Sequence, residues 1–208
     1  MVSIRPARAA RLPADARRQQ ILDVAIRAFA ARGFAGASTL AIAAAAGVGE
    51  PTIYRYFASK RDLYLAAVDR CSSQILEHWR AIAAESESPL QAIERIGAWY
   101  LSQLQARPDD LLLRYRSLSH HEDPETSERV RERYRETLRF VADLYRQARE
   151  RGDVPKSVDP DTQAWLFVAL GAAFDQVQLL GLGDAMSPEV VARLVSLLGG
   201  VGAPATPD

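Results

Sequence analysis

The chain has 208 residues, 48% of them apolar and 25% charged, with 26 Lys/Arg balanced by 26 Asp/Glu. That length suits one large domain, or a small domain joined to a larger one, and the composition is that of a globular chain with a core to bury. No run approaches the roughly 20 consecutive apolar residues that cross a bilayer, and the Arg-bearing start lacks the apolar centre of a leader peptide. A cytoplasmic location with no membrane partner is therefore expected. One cysteine, Cys71, excludes an internal disulfide and is too few for a cysteine-based zinc site.

The neutral total conceals a division. Residues 1–70 hold 11 Lys/Arg against 5 Asp/Glu, a surplus of six, whereas residues 71–208 hold 15 against 21. A basic first third points to a polyanionic partner.

Residues 1–16 carry Arg5, Arg8 and Arg11 with two prolines and no apolar period, and read as a flexible basic arm. From Arg17 to Arg32, Leu22, Ile26 and Phe29 recur at helical spacing, with Ile21 and Ala25 beside them, and Gly33 supplies a stop. Thr39 opens an Ala-rich helix ending at Gly47, and a short third helix follows from about Pro51 to Phe57. Ser59 caps a fourth, expected to reach about Ala84 with Leu63, Ala67, Ile75, Trp79 and Ile82 on one face.

Further helices are expected from Ser88–Pro89 to about Ala106 and from Pro108 to Leu118, then a loop at His120–Pro124. A long charged helix from Glu125 to Arg151 has Val130, Tyr134, Leu138, Val141 and Tyr145 inward, and Gly152 ends it. Asp159–Pro160 and Ser187–Pro188 are cap and first-turn pairs for two last helices, reaching about Leu180 and Gly199–Gly200. The tail from Val201 to Asp208 is expected to be disordered. No segment requires a strand, so the fold class is all-α with about nine helices.

The specific signal is the stretch from Thr39 to Phe57, TLAIAAAAGVGEPTIYRYF: an apolar helix, a glycine turn and a second short helix in immediate succession. Ile42, Ala46, Val48 and Ile53 let two helices cross closely, and Gly47 permits the backbone of a tight turn. Such a second helix fits a major groove. Its outward residues Thr52, Tyr54, Arg55 and Tyr56 offer hydroxyls and a guanidinium to phosphates and base edges, flanked by Thr39 and Lys60 as phosphate contacts. The reading helix carries few charges, so Arg17, Arg18 and the arm are expected to supply much of the salt-dependent attraction.

Residues 17–65 resemble the TetR family of bacterial regulators. The resemblance rests on Phe29 to Phe34, Thr39, Ile42–Ala43, Ala46–Gly47–Val48, Thr52 to Phe57, and Ser59–Lys60 with Leu63. It implies that Thr39, Pro51, Thr52, Tyr54, Tyr56 and Lys60 touch double-stranded operator DNA. Gly49 departs from the family pattern, where Ser is usual, and offers no side-chain cap.

The organisation expected is therefore an arm (1–16), a three-helix helix-turn-helix domain (17–64), a larger helical effector-binding and dimerisation domain (65–200) and a tail (201–208). Pseudopalindromic reading requires two copies, so a homodimer is expected. The segment from Ala164 to Phe174 is apolar all round, implying burial on every side, and the final helix carries Val190, Val191, Leu194, Leu197 and Leu198 as a stripe. Resemblance supports pairing these last two helices with their copies. It also implies a small-molecule pocket whose ligand, apolar or amphipathic, releases the operator by changing the separation of the two reading heads. Trp99, Tyr100, Leu104, Leu112, Tyr115, Tyr145, Phe167 and Phe174 are the bulky candidates to line it, with Gln103 and Gln178 as polar anchors.

The run His120-His121-Glu122-Asp123 superficially suggests a metal, but adjacent side chains diverge and no third ligand lies at a recognisable spacing, so no metal or cofactor is expected. Two other readings stand beside that of a repressor. One is a helical enzyme, although no phosphate loop, zinc motif or nucleophile elbow is present. The other is a DNA-binding dimer without an effector.

Overall fold

A computed structural model describes residues 12–106, 108–118, 123–183 and 187–199. The expected arm positions Arg5, Arg8 and Arg11, the residues His120, His121 and Glu122, and the tail from Val201 lie outside these. Every regular element among the described residues is helical. The elements are α1 (Ala14–Gly36), α2 (Thr39–Ala45), α3 (Glu50–Tyr56), α4 (Lys60–Ala84), α5 (Pro89–Ala106), α6 (Pro108–Leu118), α7 (Pro124–Arg151), α8 (Pro160–Leu179) and α9 (Pro188–Ser196), closed by a 3-10 turn at Leu197–Gly199. None is long and apolar enough to cross a membrane.

The boundaries follow from backbone chemistry. Helix starts leave N–H groups unpaired, and a short acceptor side chain satisfies one of them. Ser38, Ser59, Ser88, Asp123, Asp159 and Ser187 each do this, accepting from the amides of Ala41, Asp62, Gln91, Thr126, Thr162 and Val190. Pro at the first position of α7, α8 and α9 has no N–H to satisfy. Gly152 ends α7 at φ 81, where a side chain would be strained. Gly33 departs from the sequence expectation in one respect: it sits at φ 67 and breaks α1, but helical turns resume to Gly36.

The chain divides into two compact units between Ala67 and Val68. In the first, Ile21, Leu22, Phe29, Ile42, Ile53 and Leu63 are essentially inaccessible. Tyr64 meets Phe29 edge-on at 5.1 Å and Phe34 at 5.2 Å. In the second, Leu76 and Trp79 from α4, Ile93 and Ile96 from α5, Val141 and Tyr145 from α7, and Ala164 and Phe167 from α8 form the core. Trp79 is its hub, edge-on to Phe167 at 5.4 Å and to Tyr100 at 6.0 Å.

Two sequence expectations are corrected. The apolar centre of α8 is not buried on every side within the chain: Trp165, Ala169, Ala173 and Leu180 are exposed, Trp165 by 61% and Leu180 by 71%. Their near-fourfold spacing puts them along one face, while Ala164, Phe167 and Phe174 supply the buried one. On α7, Val141 and Tyr145 point inward as expected, but Tyr134 exposes 39% of its surface.

Candidate nucleic-acid interface and cavity

The turn between α2 and α3 is built by Gly47. At φ 66 it lets the amides of Gly47 and Val48 return to the carbonyls of Ala44 and Ala43, at 3.1 and 3.0 Å, which closes α2 and starts the chain toward α3. A Cβ on Gly47 would meet nothing within 4 Å, so the requirement is conformational and not one of space. Ile53 is fully buried on the inner side of α3, and Phe57 is buried at its end under the Arg18 guanidinium, 5.0 Å from the ring centroid. Phe57 is therefore a packing residue.

The outward face of α3 carries the sequence candidates. Pro51, Tyr54 and Arg55 are exposed, and Thr52 and Tyr56 are half-buried. Tyr54 exposes 47% of its surface. Thr39 is nearly buried, yet it is joined to this face. Its Oγ1 donates to Glu50 Oε1 at 2.6 Å and lies 3.2 Å from the Tyr54 hydroxyl. The single threonine proton goes to the carboxylate, so the tyrosine is the donor of the second bond. Thr39, Glu50 and Tyr54 thus form one chain of hydrogen bonds across α2 and α3.

Glu50 was not singled out by sequence reasoning. Its place in the first turn of the reading helix, beside a positive helix end, was the available signal. Gly49 makes no side-chain cap, as its lack of an acceptor requires, and its carbonyl instead accepts from the Thr52 amide at 2.8 Å. Lys60 sits 4.8 Å from the Phe34 ring centroid and donates to the Ala35 carbonyl at 3.4 Å. Arg17 is held by Gln20, which in turn donates to the Ala46 carbonyl. The basic groups of this unit are thus placed around the helix-turn-helix and not within α3, apart from Arg55.

The second unit holds a cavity of about 170 Å³ among α4, α5, α6, α7 and α8. Trp79, Tyr100, Tyr115, Phe167 and Phe174 are on its wall, with Arg114, Arg133 and Asp175 as the charged members. A second cavity of about 340 Å³ is bounded by Trp99, Gln103, His78, Cys71 and Asp110. Tyr100 and Arg114 face both. Of the ligand-contact candidates, Tyr100, Tyr115, Phe167 and Phe174 belong to the first wall, and Trp99 and Gln103 to the second. Gln178 belongs to neither, and nothing is described of the Leu104 side chain.

Tyr145 is a correction. It is on neither wall: it is fully buried in the core, and its hydroxyl donates to the Leu198 carbonyl at 2.6 Å. Burial raises its phenol above the ordinary value, so this proton stays in place. Tyr145 ties α7 to the turn that follows α9.

The polar centre of the first cavity is a closed triangle. Tyr100 donates its hydroxyl proton to Asp175 Oδ1 at 2.7 Å, and Arg114 Nη2 donates both to the Tyr100 oxygen at 2.7 Å and to Asp175 Oδ2 at 3.2 Å. Burial lifts the Tyr100 phenol, opposed by Arg114 and reinforced by Asp175. Burial likewise raises the Asp175 carboxyl, against the pull of Arg114 and Tyr100. Cys71 is buried, and its thiol is pushed up to about 12, first by burial and then by the charge of Asp110. A thiol held that far from ionisation is a poor nucleophile, and among the described residues no group of His, Cys, Asp and Glu has the arrangement of a metal site.

A helix-turn-helix unit is thus followed by a larger helical unit with a partly open, partly polar cavity. Residues 21–67 match the profile of bacterial regulatory proteins of the tetR family. The helix-turn-helix region is 47% identical over 60 residues to the HTH-type transcriptional activator FasR of Mycolicibacterium smegmatis, a match covering 29% of this chain and 27% of that protein. A TetR-like transcriptional regulator from Rhodococcus sp. RHA1 superposes at TM-score 0.69 and 25% identity, over 91% of this chain and 97% of that one. The transcriptional regulator FadR from Bacillus subtilis, solved in complex with stearoyl-CoA, shares the fold at TM-score 0.71 and 18% identity, over 89% and 99%. The tetR-family match thus lies in the helix-turn-helix unit, and the likeness to the solved structures extends over both units as a likeness of fold.

Proposed function

We propose that the chain is a homodimeric repressor that reads operator DNA with α3 and leaves it when a small apolar or amphipathic ligand enters the cavity of the second unit. The observation that carries this reading is the pairing, in one chain, of a helix-turn-helix with an outward hydroxyl-rich face and a partly open cavity walled largely by aromatics. Thr39, Pro51, Thr52, Tyr54, Arg55, Tyr56 and Lys60 are the DNA contacts proposed. Phosphate binding by Thr39 takes a proton now spent on Glu50, and by Tyr54 one now spent on Thr39, so docking exchanges one hydrogen bond for another.

The dimer surface proposed is the exposed apolar face of α8, Trp165 to Leu180, with Val190 and Leu197 near the chain's end. An apolar face of this kind on an otherwise charged surface favours burial against a second copy. The wild type is expected to elute as a dimer, and Trp165→Glu as a monomer, in size-exclusion chromatography with light scattering.

The sign of regulation has a second reading, favoured by one finding: the relative with the 47% identical helix-turn-helix region is described as an activator. Selection of bound DNA from a random pool gives the site, and a reporter carrying it gives the sign. Repression predicts higher expression on deletion of the regulator. Activation predicts lower.

A further inference from the structure

Two helix-interior glycines stand on the wall of the first cavity, Gly97 in α5 and Gly171 in α8. Glycine inside a helix is less favourable than alanine, so each calls for a reason in its surroundings. A Cβ on Gly171 would touch the Tyr100 ring, 3.6 Å from Cε1. A Cβ on Gly97 would meet nothing within 4 Å, and the backbone there is ordinary helix that any residue adopts. Neither a neighbour nor a dihedral angle therefore requires glycine at this position. The open space beside it belongs to the cavity. Tyr100 and Leu101, three and four positions on, share its face and are wall residues themselves, and Ile93, four positions back, is buried. Arg95 and Ser102 are exposed on the opposite side of α5. Gly97 itself is only half-buried, so an atom from outside the chain can reach it.

We infer that Gly97 sets the size of the ligand, whose apolar body, no larger than a single ring, lies over the bare backbone of α5 at this position. This rests on the sensor reading above and narrows its ligand class. A cavity of about 150 Å³ holds the six carbon atoms of benzene, and this one has about 170 Å³. By that measure the four carbons of a leucine side chain at position 97 would take up more than half of the room. The helices on either side suit an apolar body. Beside Gly97 and Gly171, α5 and α8 bring Leu101, Phe167, Val168 and Leu170 to the wall, whereas the cations Arg114 and Arg133 come from α6 and α7. Asp175 of α8 is bonded to Arg114.

The test is an NMR titration of isotope-labelled full-length protein with benzene and with xenon. Binding is followed at the indole signal of Trp79, which is on the wall of the first cavity and not of the second. The wild type is expected to bind both probes. Gly97→Leu should weaken benzene roughly tenfold or more, the usual consequence of overfilling a packed space, while xenon, a single atom, still binds. Gly97→Ala should give a smaller loss of benzene, and Ala98→Leu, on an exposed part of the same helix, none. Because leucine replaces a helical glycine and fills a void, unliganded Gly97→Leu should melt no lower than the wild type, a result that a glycine needed for packing would not give. Equal benzene affinity in wild type and Gly97→Leu overturns the role of Gly97 and leaves the sensor reading intact. A lower melting temperature of Gly97→Leu shows that the space is not free, with the same consequence. Loss of xenon together with benzene means that the cavity has collapsed instead of shrinking, and overturns that role too. Binding of neither probe at Trp79 of the wild type overturns both readings, because the cavity then takes no apolar body.

Discussion

The two units of this chain place their functional groups by different means. In the first, Thr39 and Tyr54 are 15 positions apart and are joined by one tight turn, so the reading face is nearly a local property. In the second, the Tyr100–Asp175 and Arg114–Asp175 bonds join groups 75 and 61 positions apart. A local face tolerates change in the remainder of the chain, whereas a cavity triangle depends on the packing of three helices. The difference teaches that a short motif can define what a regulator reads, while what it senses is set by contacts that no short segment contains.

The largest effect expected belongs to the first unit. Tyr54→Ala should reduce binding at the selected operator to the non-specific level, a loss of several kcal/mol by the usual specificity ratio, on the order of 4 kcal/mol or more, with helical content unchanged. A gel shift with undiminished binding would remove Tyr54 from the interface and weaken the contrast between a local reading face and a distributed sensor.

Next comes the triangle. Arg114→Ala leaves the partly buried Asp175 without its cation and should cost about 3 kcal/mol in urea unfolding, while operator affinity at saturating folded protein stays the same. If operator affinity of the folded protein falls as well, the triangle sets the state of the first unit and not only the stability of the second.

Cys71 gives a smaller effect with a defined sign. Its thiol keeps its proton in the folded chain to about pH 12, whereas an ordinary thiol ionises near 9. The unfolded state therefore loses its proton first, and stability present below pH 9 declines as the pH rises through that value. Between pH 8 and 10 the fall should be about 1 kcal/mol, and Cys71→Ala should abolish it. An unchanged alkaline slope in that variant would mean that the thiol is not sequestered.

Gly49→Ser should have the smallest effect. Gly49 has extended dihedrals that any residue adopts, and a Cβ there would lie 3.7 Å from Pro51 Cδ, an ordinary contact. The added hydroxyl caps α3, and the melting temperature should rise by an amount equal to a few tenths of a kcal/mol. A fall would show that the first turn of α3 is constrained by something other than its missing cap.

The legibility of the sequence follows the same division. Helix starts at Ser59, Asp159 and Ser187 and the stop at Gly152 were readable because a cap acts within three residues of itself. The helix-turn-helix was readable for the same reason. Glu50 was overlooked because its partner, Thr39, lies across the turn and its role appears only when both helices are placed. Trp79, Arg114 and Asp175 carried no signal, since neither spacing nor residue type tells which helices meet. Tyr145, read as a cavity residue, is a core residue because apolar periodicity marks inward faces without telling a solid interior from a hollow one. The division of α8 into a buried face and the exposed stripe from Trp165 to Leu180 was not legible for a related reason: an all-apolar helix implies burial, but not by which chain.

The central claim is that a ligand in the second unit sets the DNA affinity of the first. It is tested most directly by fluorescence anisotropy of the selected operator titrated with full-length protein, with and without a saturating cavity ligand identified by thermal shift. The account predicts that the ligand weakens operator binding by about 5- to 150-fold, the range typical of a coupling free energy between two sites. An operator affinity identical in both titrations, with the ligand demonstrably bound, would contradict it.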